Sequence, residues 1–144
     1  MLVKIKNNIE EISRICDIVR NFCVQNGVSD EKYHDVVLIL DELITNIISY
    51  AYPDGGERFF DLSLEKNDQY IVMNVIDDGI PFDPSSQADP DVDSSIEERQ
   101  LGGLGIFMVK QLSEVIEYSR VDDQNRLCVK VALCNKNKEE NHGD

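Results

Sequence analysis

The sequence predicts an α+β two-layer sandwich: a mainly antiparallel or mixed β-sheet covered on one face by three helices. Three observations carry this. The elements read in the order β-α-α-β-β-loop-α-β-β. Consecutive strands are joined by turns too short for a parallel crossover. Helices and strands each keep one apolar face, and two layers suffice to bury both. The chain has 144 residues, 42% of them apolar, which suits one domain with a real core. That domain is expected over 1–134, with 135–144 a polar tail that should be disordered.

Residues 2–6 alternate as a short strand. Ile9, Ile12, Ile15, Cys16, Val19, Phe22 and Cys23 then recur at helical steps. Asn8 with Glu11 resembles a capping box, and Gly27 stops the helix. A second helix is expected from a Ser29-Asp30 cap to about Ser49 or Tyr50, with Val36, Val37, Leu40, Leu43, Ile44, Ile47 and Ile48 as its apolar side. Pro53-Asp54-Gly55-Gly56 is a turn. From 57 to 77 the period changes to two: Phe60, Leu62 and Leu64, an Asn67-Asp68 turn, then Ile71, Met73 and Val75 form a hairpin. Residues 77–98 hold eight acids and neither Lys nor Arg, and 85–100 is expected to be a mobile loop. Gly102-Gly103-Leu104-Gly105 opens a third helix over 103–113. Strands at 114–120 and 126–134 follow, joined by residues 122–125, with Leu127, Val129, Val131 and Leu133 facing inward.

The charge sum, 14 basic against 28 acidic residues, is −14. Such a surface repels phosphate backbones and anionic lipid, which argues against nucleic-acid or membrane partners. The longest apolar run, 36–40, is far short of the ~20 residues that span a bilayer. No signal-peptide core opens the chain, so a cytoplasmic location is expected. The four cysteines form no C-x-x-C pair, and His34 and His142 are the only imidazoles. Buried free thiols are therefore expected, rather than a disulfide or metal site.

Three clusters can carry chemistry. On the second helix Glu42, Thr45, Asn46 and Ser49 share one face. An Asn oxygen can bind Mg²⁺, and a Glu one turn away can orient or deprotonate a nucleophile; the plain alternative is a solvent-facing stripe. At the end of the return strand, Asp77 shares parity with Ile71, Met73 and Val75. A carboxylate there needs a donor, such as an adenine amino group, and Gly79 would let a flat base approach. The alternative is an ordinary Asp-Gly-Pro turn. The Gly102–Gly105 run at a helix start offers free N–H groups to phosphate, although glycine also ends loops. It fits neither the P-loop nor the dinucleotide fingerprint.

In this order, on helix, strand end and helix start, the three clusters resemble the ATP-binding fold shared by gyrase, heat-shock chaperones, histidine kinases and MutL. Glu42-Leu43-Ile44-Thr45-Asn46 looks like its N box, Asp77-Asp78-Gly79 its adenine box, Gly102–Gly105 its second glycine box and 85–100 its ATP lid. The variant Asp77-Asp78-Gly79-Ile80-Pro81-Phe82-Asp83-Pro84 and the single-domain length are similar to the stand-alone anti-sigma factor serine/threonine kinases of bacterial partner switching. So is Gly-Gly-Leu-Gly-Ile followed by Phe107-Met108-Val109-Lys110.

The resemblance implies Mg-ATP as cofactor and phosphorylation of a serine on a small anti-sigma factor antagonist. A sigma factor and a second copy of the chain are further candidate partners. By position, Asn46 would hold Mg²⁺, Asp77 and Gly79 the adenine, Glu42 would act as base, and Gly102, Gly103, Leu104 and Gly105 would hold phosphate. Arg99 could meet the γ-phosphate, although Gln100 and Leu101 separate it from the glycines. The acids of 77–98 oppose an anionic nucleotide, a repulsion damped beyond ~8 Å at physiological salt; they could equally form a docking surface. A non-catalytic ATP- or partner-binding module of the same fold stays open beside the kinase. A histidine-kinase fragment fits less well, because no phosphoacceptor helix precedes the domain.

Overall fold

A computed structural model describes residues 1–86 and 103–134. Strand β1 (Leu2–Lys6) leads into helix α1 (Glu11–Gln25). The start of α1 departs from a capping box. The Asn8 side chain accepts from Glu10 N–H at 3.0 Å, and the Glu11 carboxylate reaches back to Lys6 N–H at 3.0 Å. Both acceptors thus serve donors that lie before the helix begins. Its end is a Schellman turn: Gly27 has φ +66°, and Val28 N–H bonds to the Cys23 carbonyl at 2.9 Å.

Ser29 caps helix α2 (Asp30–Asn46), its hydroxyl accepting from Lys32 N–H at 3.3 Å. The α-helix ends before the expected Ser49, and a π-helical turn, Ile47–Ala51, replaces its last residues. Strands β2 (Phe59–Lys66) and β3 (Tyr70–Asp77) form the hairpin, with Asn67 Oδ1 accepting from the N–H groups of Gln69 and Tyr70 at 2.9 and 2.7 Å. A 3₁₀ turn, Pro84–Ser86, follows. Helix α3 (Gly103–Leu112) and strands β4 (Val115–Val121) and β5 (Gln124–Ala132) close the chain.

The five strands run in the order β1-β2-β3-β5-β4, each pair antiparallel. The three α-helices of the described residues cover one face. Phe60, Leu62, Ile71, Met73, Val129 and Val131 of the sheet pack against Val19, Val36, Ile39, Leu40, Ile44 and Val109 of the helices. The β4–β5 turn is tighter than the four residues expected: only Asp122 and Asp123 lie between the strands, with φ of 52° and 62°. Two consecutive residues at positive φ give the twist that a two-residue hairpin requires. Asn125 therefore belongs to β5 and not to the turn.

All four cysteines are free, but only Cys23 is buried. Cys128 alternates with inward Leu127 and Val129, which puts it on the uncovered face of the sheet, and Cys134 lies beyond the end of β5. Among the described residues, no helix is long and apolar enough to cross a membrane. The greater part of the lid segment and the tail 135–144 lie outside the described residues.

Candidate nucleotide site

Strand parity delivers Asp77 as the pattern predicts. Ile71, Met73 and Val75 are buried, and Asp77, next on the same face, is 7% exposed. Its register partner across β3 and β5 is Asn125. Asp77 Oδ1 accepts from Gly79 N–H at 2.9 Å and from Asn125 Nδ2–H at 2.9 Å. Burial raises the Asp77 carboxyl above its usual range. The Asn125 amide, Gly79 N–H and Arg120 guanidinium pull it back toward the ionised form, and Asp78 opposes them.

Asp77 lines a slot of about 40 Å³ together with Asn46, Leu43, Tyr50, Phe82 and Tyr118. That is room for a few waters between an apolar wall and the polar groups of Asp77, Asn46 and Asn125. The π-helical turn places Tyr50 and Ala51 on this wall; such turns concentrate at functional sites.

One turn of α2 before Asn46 stands Glu42. Burial raises its carboxyl pKa, the Asn46 amide lowers it in part, and neighbouring Asp41 raises it further. The third cluster meets the first here. A Cβ built on Gly105 would lie 2.0 Å from the Glu42 carboxyl carbon, so the first turn of α3 rests directly on this carboxylate. Asp77, the slot, Asn46, Glu42 and the α3 N-terminus thus follow one another in a continuous line. Of the stripe predicted on α2, Asn46 is buried, Glu42 and Thr45 are half-buried and Ser49 is exposed.

The steric reason for Gly79 lies within the chain. A Cβ there would lie 2.4 Å from the Ala51 carbonyl oxygen, and Ile80 N–H bonds to that oxygen at 2.9 Å. The space that a side chain would fill is occupied by the end of the π turn. Gly103 and Leu104 lie in the first turn of α3, whereas Arg99 and Gly102 lie outside the described residues.

Sequence reasoning missed Asn125, Tyr118 and the π turn. Asn125 carried a signal: it precedes Leu127, Val129 and Val131 at steps of two, so it faces inward as they do. Assigning it to the turn hid that parity.

The two glycines differ in what a methyl group would meet. At Gly105 it meets the far end of a flexible side chain, which can swing away. Gly105→Ala is therefore expected to fold, with a melting point equal to or above wild type, since Ala is the better helix former by about 1 kcal/mol. It displaces the Glu42 carboxylate, so any activity that needs this group should fall. A thermal melt and a turnover assay on one preparation check both; a lowered melting point with undiminished turnover refutes the contact.

The family model described as histidine kinase-like ATPase domain matches residues 5–131. The chain belongs to this family. Among relatives of this histidine kinase-like ATPase domain, the serine/threonine-protein kinase BtrW of Bordetella bronchiseptica is 27% identical over 92 residues, covering 64% of this chain and 65% of that protein. The serine-protein kinase RsbW of Halalkalibacterium halodurans is 26% identical over 95 residues, covering 63% of this chain and 57% of that protein. The match thus spans less than two thirds of either relative. The fold is also that of a chain in the SiaB–SiaC complex of Pseudomonas aeruginosa, with a TM-score of 0.56, 15% identity, and 90% and 89% of the two chains covered.

The residues present fit a nucleotide accompanied by a metal ion. The described residues hold no group of three His, Cys, Asp or Glu side chains able to bind a metal. One amide oxygen at Asn46, beside Glu42, suits Mg²⁺, which keeps most of its ligands from phosphates and water.

Proposed function

We propose that this chain is a Mg-ATP-dependent serine/threonine protein kinase that phosphorylates a small anti-sigma factor antagonist and sequesters a regulator in bacterial partner switching. The observation that carries the transfer reading is Glu42, a half-buried carboxylate of raised pKa held against Gly105 at the start of α3. A surface glutamate would have no reason to be there, and a module that only bound ATP would gain nothing from a basic group beside the phosphate end. The two named kinases among the relatives support the same reading.

Each residue has a separate task. Asp77 accepts from the exocyclic amine of the base. Asn46 offers its oxygen to the Mg²⁺ that neutralises phosphate charge when bound. Gly103, Leu104 and Gly105 present backbone N–H groups and the positive end of the α3 dipole to the phosphates; Gly102 and Arg99, assigned to phosphate from the sequence, lie outside the described residues. Glu42 takes the proton of the incoming serine hydroxyl. The serine oxygen bonds to the γ-phosphorus as the bond to the β-phosphate oxygen breaks, and ADP leaves.

Binding and transfer are tested in turn. Mg-ATP at 100 times Kd should add about 2.7 kcal/mol of stability, raising the melting point by several degrees. Saturating nucleotide that leaves the melt unmoved, with and without Mg²⁺, removes the site. Labelled γ-phosphate should then appear on serine of the cognate antagonist protein. Nucleotide binding without transfer to it leaves the non-catalytic module.

A further inference from the structure

The side chain that ties Asp77 to the segment after it belongs to neither a sequence motif nor the phosphate end. Asn125 is 5% exposed, and every hydrogen-bonding position of its amide is used. Nδ2 donates to Asp77 Oδ1 at 2.9 Å and to the Ile80 carbonyl at 2.8 Å. Oδ1 accepts from Tyr118 O–H at 2.5 Å and from Phe82 N–H at 3.3 Å. Two of these partners are backbone groups that cannot change role: a carbonyl only accepts, and an N–H only donates. They fix which way the amide faces. Reversed, its oxygen would oppose both the Ile80 carbonyl and Asp77, and its NH₂ group would oppose Phe82 N–H.

The amide's orientation determines what Asp77 can do. Asn125 Nδ2 must donate to Asp77, and Gly79 N–H must donate to the same oxygen, so Oδ1 is held as an acceptor with two donors on it. Oδ2 accepts from none of the described residues. Arg120, the register partner of Asn125 in β4, donates to the Gly79 carbonyl at 2.7 Å and adds a positive charge near the carboxylate. The end of the β4–β5 hairpin therefore holds residues 77–82 through two side chains, Asn125 and Arg120, and Tyr118 reaches the segment only through Asn125. Asn125 and Tyr118 also line the slot.

We propose that Asn125, oriented by Tyr118, is the positioning residue for nucleobase selectivity: it holds Asp77 so that the second carboxylate oxygen meets the ligand as an acceptor. This rests on the reading that Asp77 receives the base. A 6-aminopurine then finds an acceptor opposite its NH₂ group, and a 6-oxopurine finds two oxygens opposed. Without the amide, Asp77 keeps only the Gly79 N–H of its two donors, so its carboxylate is held less firmly and can turn or protonate to suit either base. Discrimination between the two depends on Asn125 even though Asp77 is unchanged.

The test titrates ATP and inosine triphosphate, which differ at the 6-position of the base, into wild type, Asn125→Ala and Tyr118→Phe by calorimetry at one pH and one Mg²⁺ concentration. Wild type should favour ATP. Asn125→Ala should lower that ratio about tenfold, the worth of one hydrogen bond to a charged group. Tyr118→Phe, which deletes one oxygen and should fold even if the alanine variant does not, should lower it in the same direction by less. A residue with only a structural role lowers the melting point and both affinities together; an unchanged ratio in both variants overturns the proposal. Wild type that binds both nucleotides equally also overturns it while leaving the nucleotide site standing. Wild type that binds neither overturns the nucleotide reading itself, and Asn125's role with it.

Discussion

Glu42→Gln is expected to reduce phosphotransfer to a serine by about 10²–10⁴-fold, the usual worth of a positioned general base, while nucleotide affinity stays close to wild type. Glutamine keeps the size of glutamate and can still hydrogen-bond to Asn46, but it has neither charge nor basicity. The raised pKa of Glu42 gives the group its value: burial makes the carboxylate a stronger base than an exposed one, and the Asn46 amide offsets part of that rise. Single-turnover transfer and calorimetry on the same two proteins decide the matter. Equal transfer rates would remove Glu42 from the chemistry and leave it the role of packing under Gly105. A parallel loss of binding and transfer would make it a ligand contact.

Gly79→Ala is expected to be the most destabilising single-methyl change in the site. The added carbon would lie 2.4 Å from the Ala51 carbonyl oxygen and 2.5 Å from the Ala51 Cβ. Neither can swing aside, because the Ala51 carbonyl accepts from Ile80 N–H and Ala51 is buried at the end of the π turn. Overpacking of this kind costs roughly 1–3 kcal/mol, a fall of several degrees in melting point. The π turn carries Tyr50 and Ala51 on the slot wall, so nucleotide binding should weaken as well. Gly105→Ala is the internal control: the same added methyl group, but opposed by a movable carboxylate. A Gly79→Ala melt within about a degree of wild type would show that Ala51 yields easily and that Gly79 owes its place to something other than packing.

Local patterns determined much of this protein. Alternation between 59 and 77 placed the hairpin and turned Asp77 inward, because side chains change face at every residue of a strand. The three-and-four spacing on α2 put Glu42 and Asn46 on one face, and Gly27 marked the end of α1 because only glycine takes positive φ there without cost. The order of the three clusters was legible from the residues alone, and with it the family. Where pattern reasoning failed, neighbouring signals competed. Four polar residues, 122–125, read as a turn until two of them took positive φ and left Asn125 to the strand. Ile47 and Ile48 continued a helical period that the chain abandons for a π turn.

The tertiary structure alone decided which groups meet. Asn125 lies 48 residues from Asp77 in sequence, and their pairing depends on the register of β3 with β5, which no local period encodes. The opposition of Gly105 to Glu42 depends on how α3 settles on α2, and that of Gly79 to Ala51 on where the π turn ends. Local sequence sets the face that a residue presents, because backbone geometry repeats within a few residues. What that face meets depends on burying one shared core at close packing, a condition that the whole chain satisfies at once and no segment satisfies alone.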